Sequence, residues 1–153
     1  MRQSAVASPC KRYRYQLRRV WDPGKPAVLF VCLNPSTADA KLDDNTSRVC
    51  RNYAERWGYG TLLMGNLFAY RSRDPRALRT AKDPIGPEND HHLMELQSAA
   101  KTVVCAWGNR GALFDRDVQV LRFLRRPQCL VKLKSGRPGH PLYRSADLRP
   151  IPL

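Results

Sequence analysis

Six uninterrupted apolar residues, Ala27 to Cys32, run directly into Leu33-Asn34-Pro35-Ser36-Thr37, and this junction constrains the chain more than any other stretch. So short a run suits a strand buried on both faces better than a helix. Such a strand belongs inside a parallel sheet with helices over both of its faces. The Asn-Pro turn ends it with three side chains able to form hydrogen bonds. At the carboxyl end of a buried strand in an open α/β sheet, loops and helix N-termini converge on ligands. Asn34 is therefore expected on the floor of a site.

Three further runs read the same way: Thr61 to Phe68, Thr102 to Trp107 and Gln128 to Leu133. Between them, helical spacing predicts helices over about 47–57, 88–101 and 112–124. Asn45 or Thr46 is the expected N-cap of the first, with Asp43 and Asp44 at the positive end of its dipole. The expected fold is a three-layer α/β/α sandwich with a mainly parallel, four-stranded central sheet. Tyr13 to Trp21 alternates well enough for a half-exposed strand, and Asp22-Pro23-Gly24 predicts a β-hairpin from it into Ala27–Leu33. Residues 1–12 show no periodicity and are expected as a flexible basic arm on a single domain spanning 13–153. The loop 70–87 is long, basic and Pro-bearing, with one helical turn expected around Pro75 to Thr80, and loops of that length are usually functional.

The 27 Lys and Arg against 13 Asp and Glu give a net charge of +14. That excess points to a phosphate-bearing partner, and DNA is the expected one. None of the five cysteines forms a C-x-x-C pair, and three lie in apolar strand-like runs, so buried thiols are expected rather than metal ligands. Neither a cofactor nor a metal is expected. No apolar run approaches the length of a membrane span, and a cytoplasmic monomer without membrane contact is the expectation. Adjacent Asp43 and Asp44 could ligate magnesium, but helix capping accounts for them more simply. His91-His92 reads as an exposed pair.

Each predicted core strand delivers polar or glycine-rich sequence at its carboxyl end: Asn34, Asn66, Gly108-Asn109-Arg110-Gly111 and His140. In a parallel sheet these ends share one rim. At these places the chain resembles the uracil-DNA glycosylase superfamily. Leu33-Asn34-Pro35-Ser36 is similar to its water-positioning turn, Met64 to Arg71 to its base-reading strand, Ala106-Trp107-Gly108 to its Leu-Trp-Gly, and His140-Pro141-Leu142-Tyr143 to its His-Pro-Ser-Pro-Leu loop. Ser36 stands where that turn has Gly, and the last loop lacks Ser-Pro-Leu. Over Trp21 to Tyr143 the chain also resembles an uncharacterised bacterial domain family with LNPSTAD, DDNT, NLFA, AWG and HPLY signatures.

The glycosylase resemblance implies hydrolysis of an N-glycosidic bond to a modified or deaminated base flipped out of nucleic acid. It implies that Asn34 orients water, that neutral His140 donates to the departing base, and that Asn66 reads the base edge. Ser36 belongs to the same substrate-binding turn, and Asp44 is a second candidate for orienting water. Tyr53, Phe68 and Tyr70 are candidates to stack on the base, and Leu142 or Tyr143 to fill the gap it leaves. Arg71, Arg73, Lys134, Arg137 and Arg144 flank the rim and are candidate phosphate contacts. A non-catalytic module that binds modified bases is the alternative.

Overall fold

The computed structural model describes residues 1–153. Ala27–Cys32 forms the central strand β3, with α1 (Asn45–Arg56) and β4 (Thr61–Asn66) following it. β1 (Arg2–Ala7) and β2 (Arg14–Val20) precede it. After β4 come α2 (Asn89–Ala99), β5 (Thr102–Cys105), α3 (Arg116–Leu121), β6 (Gln128–Cys129) and β7 (Ile151–Pro152). Single 3-10 segments cover Pro75–Arg79 and Asn109–Asp115. The strands make one sheet in the order β1-β2-β4-β3-β5-β6-β7.

β3 pairs in parallel with β4 on one side and β5 on the other, and β5 pairs in parallel with β6. The expected four parallel strands are thus present, but the sheet has seven strands rather than four. β1, β2 and β7 add antiparallel edges. As the six-residue apolar run requires, β3 is buried on both faces. Val28 and Phe30 pack with Cys50, Tyr53 and Ala54 of α1. Leu29 and Val31 pack with Leu93 and Leu96 of α2 and with Val120 of α3. Each fully buried Val, Leu or Phe side chain contributes about 1.5–3 kcal/mol relative to exposure.

The expected hairpin between β2 and β3 does not form, because β4 inserts between them, with Leu17 opposite Met64 and Val20 opposite Thr61. Gly60 makes the insertion possible. Its carbonyl accepts from the amides of Trp21 and Asp22 while its own amide donates to Pro26, and a Cβ there would lie 1.8 Å from the Asp22 carbonyl oxygen. Residues 2–7 are not an unpaired arm but the edge strand β1, antiparallel to β2. β2 is largely buried rather than half-exposed, and it carries Arg14, Gln16 and Arg19 inside, the two arginines beneath the segment that holds Ala38, Asp39 and Asp43. Arg19 is fully buried. Its Nε donates to Asp43 at 2.9 Å, and its Nη2 donates to the Asp39 and Leu42 carbonyls at 2.6 and 3.3 Å.

The third helix is shorter than its pattern, because Phe114 and Asp115 adopt left-handed backbone at φ 56° and 54° and break it. Beyond the break, buried Arg116 donates from Nε to the Leu67 carbonyl at 2.7 Å. β6 is also short. After it the chain folds back through a Lys132–Pro138 bridge and a Leu133-to-Arg137 turn, and Gly139 donates to Val131 at 2.9 Å. That return carries His140 to the rim.

Candidate active site

The connection leaving β3 crosses to the face covered by α1, while those leaving its neighbours β4 and β5 cross to the face of α2 and α3. Opposed departures open a crevice at the carboxyl ends of adjacent strands. A cavity of about 530 Å³ lies there. β3 supplies Cys32, Leu33 and Asn34 to it, β4 supplies Met64 and Asn66, and β5 is followed into it by Trp107 and Gly108. His140 and Leu142 close it from the returning loop, and Ser36, Asp44 and Thr46 from the segment leading to α1.

Backbone hydrogen bonds tie the rim loops together. The Leu67 amide donates to Cys32, Phe68 to Leu33, Ser72 to Pro35 and Gly108 to Pro138, all at 2.8–3.0 Å. Asn34 adds a side-chain brace: its Nδ2 donates to the carbonyls of Pro35 (3.1 Å), Tyr70 (3.4 Å) and Ser72 (3.0 Å). Its donor side is committed to the loop, so only Oδ1 is left to accept from a ligand or a water. Asp44 is the N-cap of α1, where neither Asn45 nor Thr46 serves. Its Oδ1 accepts from the Ser47 amide at 2.8 Å within a reciprocal capping box, and Oδ2 has no partner in the chain.

Four buried side-chain polar atoms lack a hydrogen-bond partner, and three belong to residues lining this cavity: Arg14 Nε, Asn66 Nδ2 and Trp107 Nε1. All three are donors. Leaving a buried donor unpaired costs about 1–3 kcal/mol, so their convergence marks a place for acceptors. Asn66 is 2% exposed, and its peptide is held from behind by Asn89, whose Nδ2 donates to its carbonyl at 2.8 Å. Trp107 is seated against Gly111, where a Cβ would fall 2.2 Å from the indole Cδ1. Arg14 is 4% exposed and donates from Nη1 to the Ala38 carbonyl at 2.6 Å. Burial lowers its pKa to about 10, against the opposing field of Asp44.

His140 accepts from the Leu142 amide at Nδ1 (3.2 Å), which leaves the proton of the neutral ring on Nε2. Desolvation lowers its pKa from the ordinary imidazole value, Arg144 lowers it further, and Asp44 opposes both. The rim thus combines a neutral imidazole donor, three buried donors and one carboxylate. The chain holds no cluster of three or more His, Cys, Asp or Glu side chains.

Asn34, Ser36, Asp44, Asn66, His140, Leu142 and Arg73 all line the cavity, as the shared rim requires. Phe68 and Tyr53 do not. Phe68 is fully buried beneath the rim, edge-on to Phe114, and Tyr53 is buried under α1 with its hydroxyl donating to the Ser145 carbonyl at 2.7 Å. The aromatic lining residue is Trp107. Among the candidate phosphate contacts, Arg73 is exposed at the cavity, and Arg71 and Lys134 lie outside its lining. Arg137 is paired with Asp117 at 2.8 Å, and Arg144 donates to the His140 carbonyl at 3.1 Å. Arg110 lines the cavity as part of the expected rim turn, and Arg14 and Thr46 line it without having been expected there. Arg14 was hidden because an arginine in an alternating strand reads as its solvent face.

The chain belongs to the family described as "Protein of unknown function (DUF1643)", which matches residues 14–142 and so takes in every residue lining the cavity. Neither a curated protein nor a solved structure matches it.

Proposed function

We propose that this chain takes a nucleobase, extruded from nucleic acid, into the rim cavity and hydrolyses its N-glycosidic bond. One observation carries the reading: three residues that each hold an unpartnered buried donor, together with His140 and its free Nε2–H, line one cavity of nucleotide size in a strongly basic chain. A base rich in carbonyl and ring-nitrogen acceptors is the ligand that donors lining such a cavity suit. The resemblance of the four rim motifs to the uracil-DNA glycosylase superfamily agrees with that chemistry.

In this reaction water adds at the sugar C1′ as the bond to the base nitrogen breaks, so the base leaves with the bonding electrons. Asn34 Oδ1 and Asp44 Oδ2 are the two acceptors free to orient the water, and Asp44 takes its proton. The His140 Nε2–H donates to the departing base. Asn66, Trp107 and Arg14 hold the base edge, and each donor left unpaired by a wrong base costs about 1–3 kcal/mol in discrimination. Arg73 meets the flanking backbone.

The test is a set of oligonucleotides, each carrying one modified or deaminated base, assayed for abasic sites. Release of one base, lost in His140→Ala and in Asp44→Asn while DNA affinity is kept, supports the hydrolase. Tight, salt-dependent binding without release refutes hydrolysis for that set and favours the binding module. Binding insensitive to salt refutes both.

A further inference from the structure

Beside the candidate active site lies a second concavity of about 590 Å³, adjoining it at Pro75, Asn109 and Arg110, which line both. Its walls are the 3-10 segment Pro75–Arg79 and the turn after β5, and its apolar surface comes from Leu78, Ala112 and Leu113. Three guanidinium groups border it. Arg76 is fixed by Asp74, with Nη2 to Oδ2 at 2.9 Å, whereas Arg79 and Arg110 form no hydrogen bond or ion pair within the chain. Nothing in the reaction proposed above uses this groove.

From this geometry we infer that the groove is a subsite for the nucleotide next to the extruded one, presented as an unpaired single strand. The inference rests on the rim cavity taking a base. An apolar hollow edged by planar cations suits a base that has left its stack: base faces lie against apolar side chains and guanidinium planes, and the free charges meet the phosphates on either side. A paired duplex would offer this hollow only its backbone and leave the apolar floor without a partner. Because Arg110 lines both concavities, it stands at their junction, where the phosphate linking adjacent nucleotides would pass. Unpaired arginines held close together in a chain of net charge +14 have no internal use and cost the fold mutual repulsion, so an anionic ligand is their natural partner.

The experiment measures salt-dependent affinity of the full chain for a fluorescein-labelled single-stranded oligodeoxynucleotide and for the same sequence as duplex. Arg79→Ala with Arg110→Ala is expected to reduce the single-strand salt slope by about 1.4 and affinity at physiological salt by about tenfold. Leu113→Glu is expected to weaken single-strand binding without changing the fold's circular dichroism. An unchanged slope in the double variant, or equal losses for duplex and single strand, overturns the subsite. The two readings fail separately. Base release that persists undiminished in the groove variants removes the subsite alone, and a lost slope with no base released by the wild type removes the hydrolase alone.

Discussion

Asn66→Leu should make the protein more stable and stop it binding its ligand. Asn66 is 2% exposed, its Nδ2 is buried without a partner, and no side-chain hydrogen bond forms at its Oδ1 within the chain. Replacing the amide with a γ-branched apolar group of similar shape therefore breaks nothing in the fold. It removes a donor whose burial costs about 1–3 kcal/mol, and the adjoining cavity gives the slightly larger side chain room. Setting aside part of that gain for imperfect packing, the net stabilisation is about 1–2 kcal/mol. In a domain of 153 residues that raises Tm by about 3–6 °C. Thermal and urea denaturation of the two proteins measure it, and base release or oligonucleotide affinity should fall at least tenfold in the same variant. A Tm that is unchanged or lower would show that the amide stabilises the fold, and the reasoning that reads unpartnered donors as a ligand site would fall. Stability held back where function needs an unpaired group is the expected trade.

Arg19→Ala should cost about 3–5 kcal/mol in denaturant unfolding, because it strands Asp43 and empties the position that bonds to the carbonyls of residues 39 and 42. Arg19→Lys, with one nitrogen in place of the guanidinium fork, should recover only part of it; full recovery would refute the clamp. The fold holds His140 neutral, with a pKa below about 6.5, so stability rises with pH between that lowered value and the ordinary one and is lost as pH falls through it. Tm across that range should slope less steeply in His140→Ala, and base release by the wild type should fall off only on the acid side of about pH 6.5. An acid limb unchanged in a His140→Gln variant that retains activity would refute the assignment.

The parts of the fold legible in the sequence were those decided locally. Ala27–Cys32 is apolar at every position because it is covered on both faces, and the ends of the parallel strands share a rim by topology, so Asn34, Asn66, Trp107-Gly108 and His140 met as expected. What depended on distant neighbours was not legible. Arg14 reads as a solvent-facing residue unless the segment bearing Ala38, whose carbonyl it donates to, is known to fold over it, and the mixed sequence of residues 2–7 does not announce a strand. The seven-stranded sheet hides in the same way, since β7 is two residues long and owes its place to β6. Tyr53 and Phe68 have the right chemistry for stacking on a base, but only tertiary packing decides that both serve the core alone while Trp107, in the same core cluster as Phe68, also borders the cavity.

Asp44 holds the first turn of α1 through Oδ1 and offers Oδ2 to the cavity, so one side chain answers to two clients. Losing it by truncation would fray the helix, shift the loop that carries Ser36, and erase the only cavity carboxylate in one stroke. Inactivity of an alanine variant would thus be mute about chemistry. Asparagine keeps an oxygen for the Ser47 amide and discards only the charge, which makes it the substitution that can tell a helix cap from a proton acceptor.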